Sequence, residues 1–226
     1  MRELTILFLH HATDPVTRHH FEILHWLNPG VPVVPLSHRC EDALPGSYDA
    51  ARLVPEFAGE TGWHGLDVML YAWYRAGRTA ETTARRYALV EWDMLWRVPH
   101  ADFYREVWDA DVAGRDVKEP SRHRDWNWFA QMSRLPAALQ PFAGGIAPIS
   151  GLFLADRVLA AISAQVLPLD VFCELRLPTL AKACGFRLTE LPPEKCRNLS
   201  FEARYVNLEG SSSCDPTATL SVDPPN

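Results

Sequence analysis

Two carboxylates with one residue between them, Glu91 and Asp93, end the aromatic and apolar run Tyr87 to Val90. Such a run reads as a buried strand that delivers acidic groups at its C-terminal edge. Ligands of open α/β sheets bind outside those edges. Paired carboxylates there suit a hard divalent cation, Mg2+ or Mn2+, and a cation there suits a phosphorylated substrate. Asp93 is the candidate direct ligand, because such ions keep several waters and need few protein groups. If the chain stays extended through the pair, Glu91 and Asp93 share one face and Trp92 takes the other. Glu91 could then contact a sugar, a ribose or a metal-bound water. The plain alternative is a strand that ends in a solvated acidic turn.

Other chemistry-bearing residues fit known patterns less well. Ser150 stands in Ala147-Pro148-Ile149-Ser150-Gly151, which is not the Gly-x-Ser-x-Gly elbow of a serine nucleophile. Cys173 reads as a small apolar residue. The pairs His10-His11 and His19-His20 lack the His-Glu-x-x-His spacing of a zinc site. Cys40, Cys173, Cys184, Cys196 and Cys214 are scattered and odd in number, so they suggest neither a zinc cluster nor a disulfide framework. Arg122, Arg124, Lys195 and Arg197 are loop cations that could reach a diphosphate, or simply be solvated.

The elements that must position these groups alternate between strand and helix. Leu4 to Leu9 is apolar apart from Thr5 and reads as a buried parallel strand. Asp14-Pro15 is a helix start, and Asn28-Pro29-Gly30 a stop after Trp26. Val31 to Leu36 predicts a second strand, short or at an edge because of Pro32 and Pro35. Residues 37–62 read as loop with one short helix. Leu66, Met69, Leu70 and Trp73 predict an amphipathic helix ending near Gly77. After the strand that carries the acids, a helix is expected over Ala101–Trp108, a short strand within Asp111–Val117, and helices over Ala155–Val166 and Glu174–Cys184. A strand is expected over Phe186–Leu191. The alternation gives a single-domain α/β fold, a Rossmann-like and mostly parallel sheet flanked by helices, over residues 1–206. Residues 207–226, rich in Ser, Pro, Thr and Asp, are expected to be a disordered tail. No Gly-x-Gly-x-x-Gly follows the first strand and no phosphate-loop lysine motif occurs, which argues against a dinucleotide dehydrogenase or a P-loop enzyme.

The chain has 226 residues, 47% of them hydrophobic, and a net charge of -6, so it can bury one sizeable core and offers no basic stripe for nucleic acid. No apolar stretch approaches a membrane span, and no signal core opens the chain. A cytoplasmic protein without an integral membrane segment is the expectation.

Four segments together resemble the nucleotide-sugar glycosyltransferases of the A-type fold. They are Ile6-Leu7-Phe8-Leu9-His10, Trp63-His64-Gly65-Leu66-Asp67 leading into Tyr71-Ala72-Trp73-Tyr74, Val90-Glu91-Trp92-Asp93, and Pro148 to Leu154 followed by Glu174 to Leu180. In such enzymes an Asp-x-Asp or Glu-x-Asp motif stands where Glu91 and Asp93 do. The last segment is similar to the acceptor side of the xylosyltransferase and core-branching N-acetylglucosaminyltransferase group.

The resemblance implies a nucleoside-diphosphate sugar donor such as a UDP-sugar, a hydroxyl acceptor and a divalent metal. It implies that His10, His11 and Thr13 meet the base and ribose, that Trp63 packs on the base, and that Asp67 approaches the nucleotide or the metal. It makes Glu174 the general base, at a helix start whose field favours the ionised form. The plain readings are a polar loop, a core tryptophan and ordinary helix-start carboxylates. Ser121 to Trp128, polar and aromatic by its own composition, reads as a mobile loop or an acceptor-facing segment. The chain departs from the family in two ways. The core-branching group works without the metal motif, and many metal-dependent members supply a late histidine, whereas no histidine follows His123 here. Two rival functions share the fold: a non-catalytic nucleotide-sugar binder, and a metal-dependent nucleotidyl or phosphoryl transferase.

Overall fold

A computed structural model describes residues 1–11, 14–37, 43–49, 65–196 and 199–201. In chain order these form β1 (Arg2–His10), α1 (Pro15–Leu27), β2 (Val33–Ser37), β3 (Tyr48–Asp49), α2 (Leu66–Ala72), β4 (Ala84–Glu91), β5 (Met94–Trp96) and the single turn α3 (His100–Phe103). Then come β6 (Val112–Gly114), β7 (Val117–Lys118), β8 (Gly145–Ile146), β9 (Phe153–Ala155), α4 (Asp156–Ser163), α5 (Cys173–Ala183), β10 (Leu188–Glu190), α6 (Pro193–Cys196) and β11 (Leu199–Phe201). The expected tail at 207–226, and the domain boundary before it, lie outside the described residues.

Seven strands make one mixed, mostly parallel sheet in the order β10-β6-β9-β4-β1-β2-β3. β1 runs parallel to both β2 and β4, β2 to β3, and β6 to β10; only β9 runs antiparallel, between β4 and β6. The alternation in β1 decides the layers. Leu7 and Leu9 point into a core shared with α2, α4 and α5. Leu4, Ile6 and Phe8 point into a second core with Leu24 of α1, Trp96, Phe103 and Tyr104. β1 is buried on both faces, as its near-continuous apolar run requires.

The α1 start forms as the sequence predicts: Asp14 Oδ1 accepts the Thr17 backbone N–H at 2.9 Å, and Pro15 opens the helix. Two expectations change. β2 is not an edge strand, because β3 pairs beyond it at Leu36 and Ser37 only; Pro35 lies outside that ladder, so its missing N–H costs no bond on the β3 side. The helix from Leu66 is not amphipathic: all seven residues of α2 are buried, since the helix is packed between the sheet and α5, and a one-residue-longer turn, Trp73–Gly77, extends it. The helix expected over Ala101–Trp108 is α3 followed by a 3-10 turn, Arg105–Val107. β5 and its pairing with β11 were not expected. No helix among the described residues is long and apolar enough to cross a membrane.

Candidate active site

β4 lies at the centre of the sheet, and its C-terminal end opens into a cleft of about 400 Å³. His11, Leu66, Glu91, Trp92, Asp93, Pro148, Ile149, Phe172, Cys173 and Glu174 line it. They come from the ends of β1 and β4, the start of α2, the loop before β9 and the start of α5. These are the C-terminal ends of parallel strands and the helix starts that face them.

The acids reach the cleft through a turn. β4 ends at Glu91, and Trp92-Asp93 turn the chain into β5. Trp92 therefore does not point away from the pair as an extended chain would require; it also lines the cleft, with its ring packed against the α1-side core. The turn is pinned at both peptide groups of Trp92. Its N–H donates to the Leu9 carbonyl at 2.9 Å, and its carbonyl accepts from His20 Nδ1 at 2.8 Å, so that nitrogen carries the proton. The loop before β9 is tied to the same strand: Leu89 N–H donates to the Leu152 carbonyl and Gly151 N–H to the Leu89 carbonyl, both at 2.8 Å. The buried Ser150 accepts the Glu91 backbone N–H at 3.0 Å, so it organises the end of β4 and is no nucleophile.

Electrostatics single out three carboxylates. Burial pushes Glu91 up to about 8, with Asp93 and Glu174 adding like-charge repulsion and a Ser150 hydrogen bond opposing in part. Burial also raises Asp93, against its own backbone N–H and His11. Glu174 is raised to about 7, again by burial, although Trp128 and the Ile149 backbone donate to it. Asp93 Oδ1 is buried without a hydrogen-bond partner among the described residues. No Arg or Lys of the described residues lines the cleft. An acceptor-only oxygen left bare beside a second acid fits a hard cation. Among the described residues no three His, Cys, Asp or Glu side chains are placed to hold one metal ion together, so a cation here would take most of its ligands from water and substrate.

The remaining candidates separate clearly. His11 reaches the cleft, its ring edge-on to Trp92 at 4.9 Å. His10 does not: it is the last residue of β1, buried, with Nε2 bonded to Ser47 Oγ at 2.9 Å. Asp67 is corrected outright. It is fully buried, with both oxygens held by the guanidinium of Arg176, and it faces α5 rather than the cleft. Thr13, Trp63 and Arg197 lie outside the described residues. Lys195 is paired with Glu106 at 3.1 Å, and Arg124 lines a separate groove with Trp126 and Phe129. Cys173 is buried at the cleft wall. Two residues of the site had no motif to announce them. Trp128 donates from Nε1 to Glu174 Oε2 at 2.9 Å. Ser150 stands in no nucleophile motif, and its bond to β4 shows how it serves the site.

No protein-family model matches the chain, and no curated protein sequence matches it. Among solved structures it is similar to glucosyl-3-phosphoglycerate synthase from Mycobacterium tuberculosis, in complex with Mn2+, UDP-glucose and phosphoglyceric acid (TM-score 0.46, 11% identity, covering 71% of this chain and 59% of that one). It is similar to mouse xyloside xylosyltransferase 1 in its apo form (TM-score 0.42, 12% identity, 87% and 85%). It is also similar to the galactosyltransferase LgtC in complex with donor and acceptor sugar analogs (TM-score 0.43, 14% identity, 95% and 81%). The chain thus spans 59% of the length of the synthase. At these identities and scores, no residue role passes from those proteins to this one.

Proposed function

We propose that the chain is a glycosyltransferase that moves a sugar from a nucleoside-diphosphate donor to a hydroxyl acceptor, assisted by Mn2+ or Mg2+. One observation carries the reading: Glu91 at the end of β4, Asp93 from the turn that follows it, and Glu174 from α5 line one cleft at the C-terminal end of the sheet. A hydrolase of unactivated esters would want a nucleophile there, and Ser150 is instead bonded to β4.

Asp93 would hold the cation through its bare Oδ1. Such an ion, when bound, neutralises the charge that develops on the departing diphosphate. Glu91, with its pKa pushed up to about 8, is largely protonated at neutral pH and can donate to a sugar or ribose oxygen. His11 and Trp92 present an aromatic corner to the nucleotide. Leu66, Ile149 and Phe172 make an apolar wall that keeps water from competing with the acceptor. Glu174, poised at about 7, takes the proton of the acceptor hydroxyl. The acceptor oxygen then forms the bond to the anomeric carbon, and the bond to the diphosphate breaks with its electron pair leaving on the nucleotide. A single base acting directly in this way implies inversion.

Among the described residues no Arg or Lys lines the cleft, and that favours one second reading, a nucleotide-sugar binder without turnover. Thermal shift with UDP, GDP, ADP, CDP and dTDP, each with and without Mn2+, tests ligand class, since a ligand that binds only the folded state raises the melting temperature. A rise with at least one diphosphate that needs Mn2+ is expected. No rise with any of them would overturn both readings, and a rise without sugar release or transfer from the matching nucleotide-sugars would leave the binder.

A further inference from the structure

The segment Asn127–Arg134 is a 3-10 helix that stands over the start of α5. Trp128 lies in it, and two of its contacts converge on one turn. Its ring stacks on Phe172, with centroids 3.9 Å apart and planes 19° from parallel. Its indole N–H donates to Glu174 Oε2 at 2.9 Å. Phe172 caps the helix that Glu174 opens, so a single indole grips both ends of the step that presents the carboxylate. The segment itself is tied to the same place: Gln131 Oε1 accepts the Phe172 backbone N–H at 2.7 Å.

From this geometry we infer that Trp128 is the positioning residue of the site, orienting Glu174 through Oε2 so that the carboxylate faces the acceptor hydroxyl. The inference deepens the glycosyltransferase reading and rests on it for the identity of the proton's source. Indole is suited to the task because Nε1 is a donor only, so it bonds a carboxylate in the ionised, base-competent form and cannot compete for the proton. A charge-assisted bond of this kind lowers the carboxylate pKa, and Trp128 is the first of the groups that oppose burial at Glu174, ahead of the Ile149 backbone and Lys118. The other charged groups facing it are Asp116 from the β6–β7 turn, Lys118 from β7 and Glu91 from β4. Asp116 raises its pKa, Lys118 lowers it, and Lys118 is itself paired with Asp116 at 2.6 Å. Because the donor sits on a segment outside the sheet, the sequence that shapes the acceptor side also sets the strength of the base.

The test combines a readout that needs no turnover with one that does. In indole 15N–1H spectra of the full chain between pH 5 and 9, the resonance missing from Trp128→Phe should titrate in wild type with a midpoint near that of Glu174. It should stand still in Glu174→Gln. In donor hydrolysis or transfer, Trp128→Phe keeps the stack on Phe172 but removes the donor. The acid limb of its rate profile should move up by about one pH unit, with about a five-fold loss of kcat at pH 7 and an unchanged donor KM. Trp128→His, which keeps a ring donor, should recover part of that loss. A resonance that ignores pH, or that titrates equally in Glu174→Gln, overturns the positioning role; so does a Trp128→Phe profile that keeps its midpoint. If Glu174→Gln retains full turnover while the resonance titrates as expected, the contact stands and the assignment of Glu174 as base falls.

Discussion

Arg176 grips Asp67 in a two-bonded fork, Nε to Oδ2 at 2.9 Å and Nη2 to Oδ1 at 2.5 Å, with both side chains wholly buried. The remaining guanidinium donor, Nη1, goes to the carbonyls of Leu169 and Val171 at 3.2 and 3.0 Å. The fork therefore locks the first turn of α2 to the first turns of α5 and to the loop before it. Arg176 lies two residues beyond Glu174, so the pair fixes where the candidate base stands. Removing one partner leaves an uncompensated buried charge. Arg176→Met or Asp67→Leu alone should cost about 3–5 kcal/mol in urea unfolding, whereas the double variant should recover most of that loss. Equal and additive losses would show that the two groups do not act as a pair.

Asp93 presents the opposite case. Its Oδ1 is buried without a partner among the described residues, and burial raises its pKa. The group is held at a cost to the fold. Asp93→Asn should leave the melting temperature unchanged or raise it, by about 0.5–1 kcal/mol in stability, while it lowers transfer by about a hundred-fold or more. The Mn2+-dependent shift seen with a nucleoside diphosphate should vanish in the variant. Full turnover with saturating donor and metal would remove Asp93 from the reaction.

Glu174 must be ionised to act as base, and its pKa lies at about 7. The wild-type rate should therefore fall about ten-fold for each pH unit below that midpoint and level off above it. Glu174→Gln should lose the dependence along with about a hundred-fold or more of kcat, and keep the donor KM. Steady-state rates from pH 5 to 9 read all three.

Acid should also weaken the fold through His100, which is fully buried on Trp96, with ring centroids 3.9 Å apart. Burial lowers its pKa to about 3, far below the ordinary value of 6.5. The unfolded chain thus takes up a proton that the native protein refuses, so the contribution is intact above pH 6.5 and is lost as pH falls toward 3. At pH 5 the loss is about 2 kcal/mol. His20, also lowered by burial, adds to it in the same direction. Urea unfolding at pH 7 and pH 5 should show that difference in wild type and a smaller one in His100→Phe. Equal differences would place the acid sensitivity elsewhere.

Local signals made the centre of the molecule legible from sequence. β1 and β4 are unbroken apolar runs, and Asp14-Pro15 carries its own cap, so each announces itself within a few residues. The acids at Glu91 and Asp93 followed from the abrupt end of one such run. What was hidden depends on partners far along the chain. Asp67 looks like any helix-start carboxylate until Arg176, 109 residues later, is folded against it. Trp128 meets Glu174 across 46 residues, and no spacing rule connects an indole to a carboxylate. His10 follows an apolar run as a loop residue would, yet β1 continues through it and turns it inward to Ser47. β9 is only three residues long, and nothing local says that it enters the sheet antiparallel between β4 and β6.

The peptide groups on either side of Trp92 have a consequence for selectivity among ions. With one bonded to Leu9 and the other to His20, the backbone next to Asp93 is held, so a cation taken there on the proposed reading would meet a carboxylate carried on a fixed backbone. Adjustment to the ion would then fall to solvent and to the phosphate oxygens of the substrate. Such a berth tolerates small octahedral ions that share one radius class and rewards none of them strongly, so exchange between Mg2+ and Mn2+ should alter how fast the reaction runs more than whether it runs.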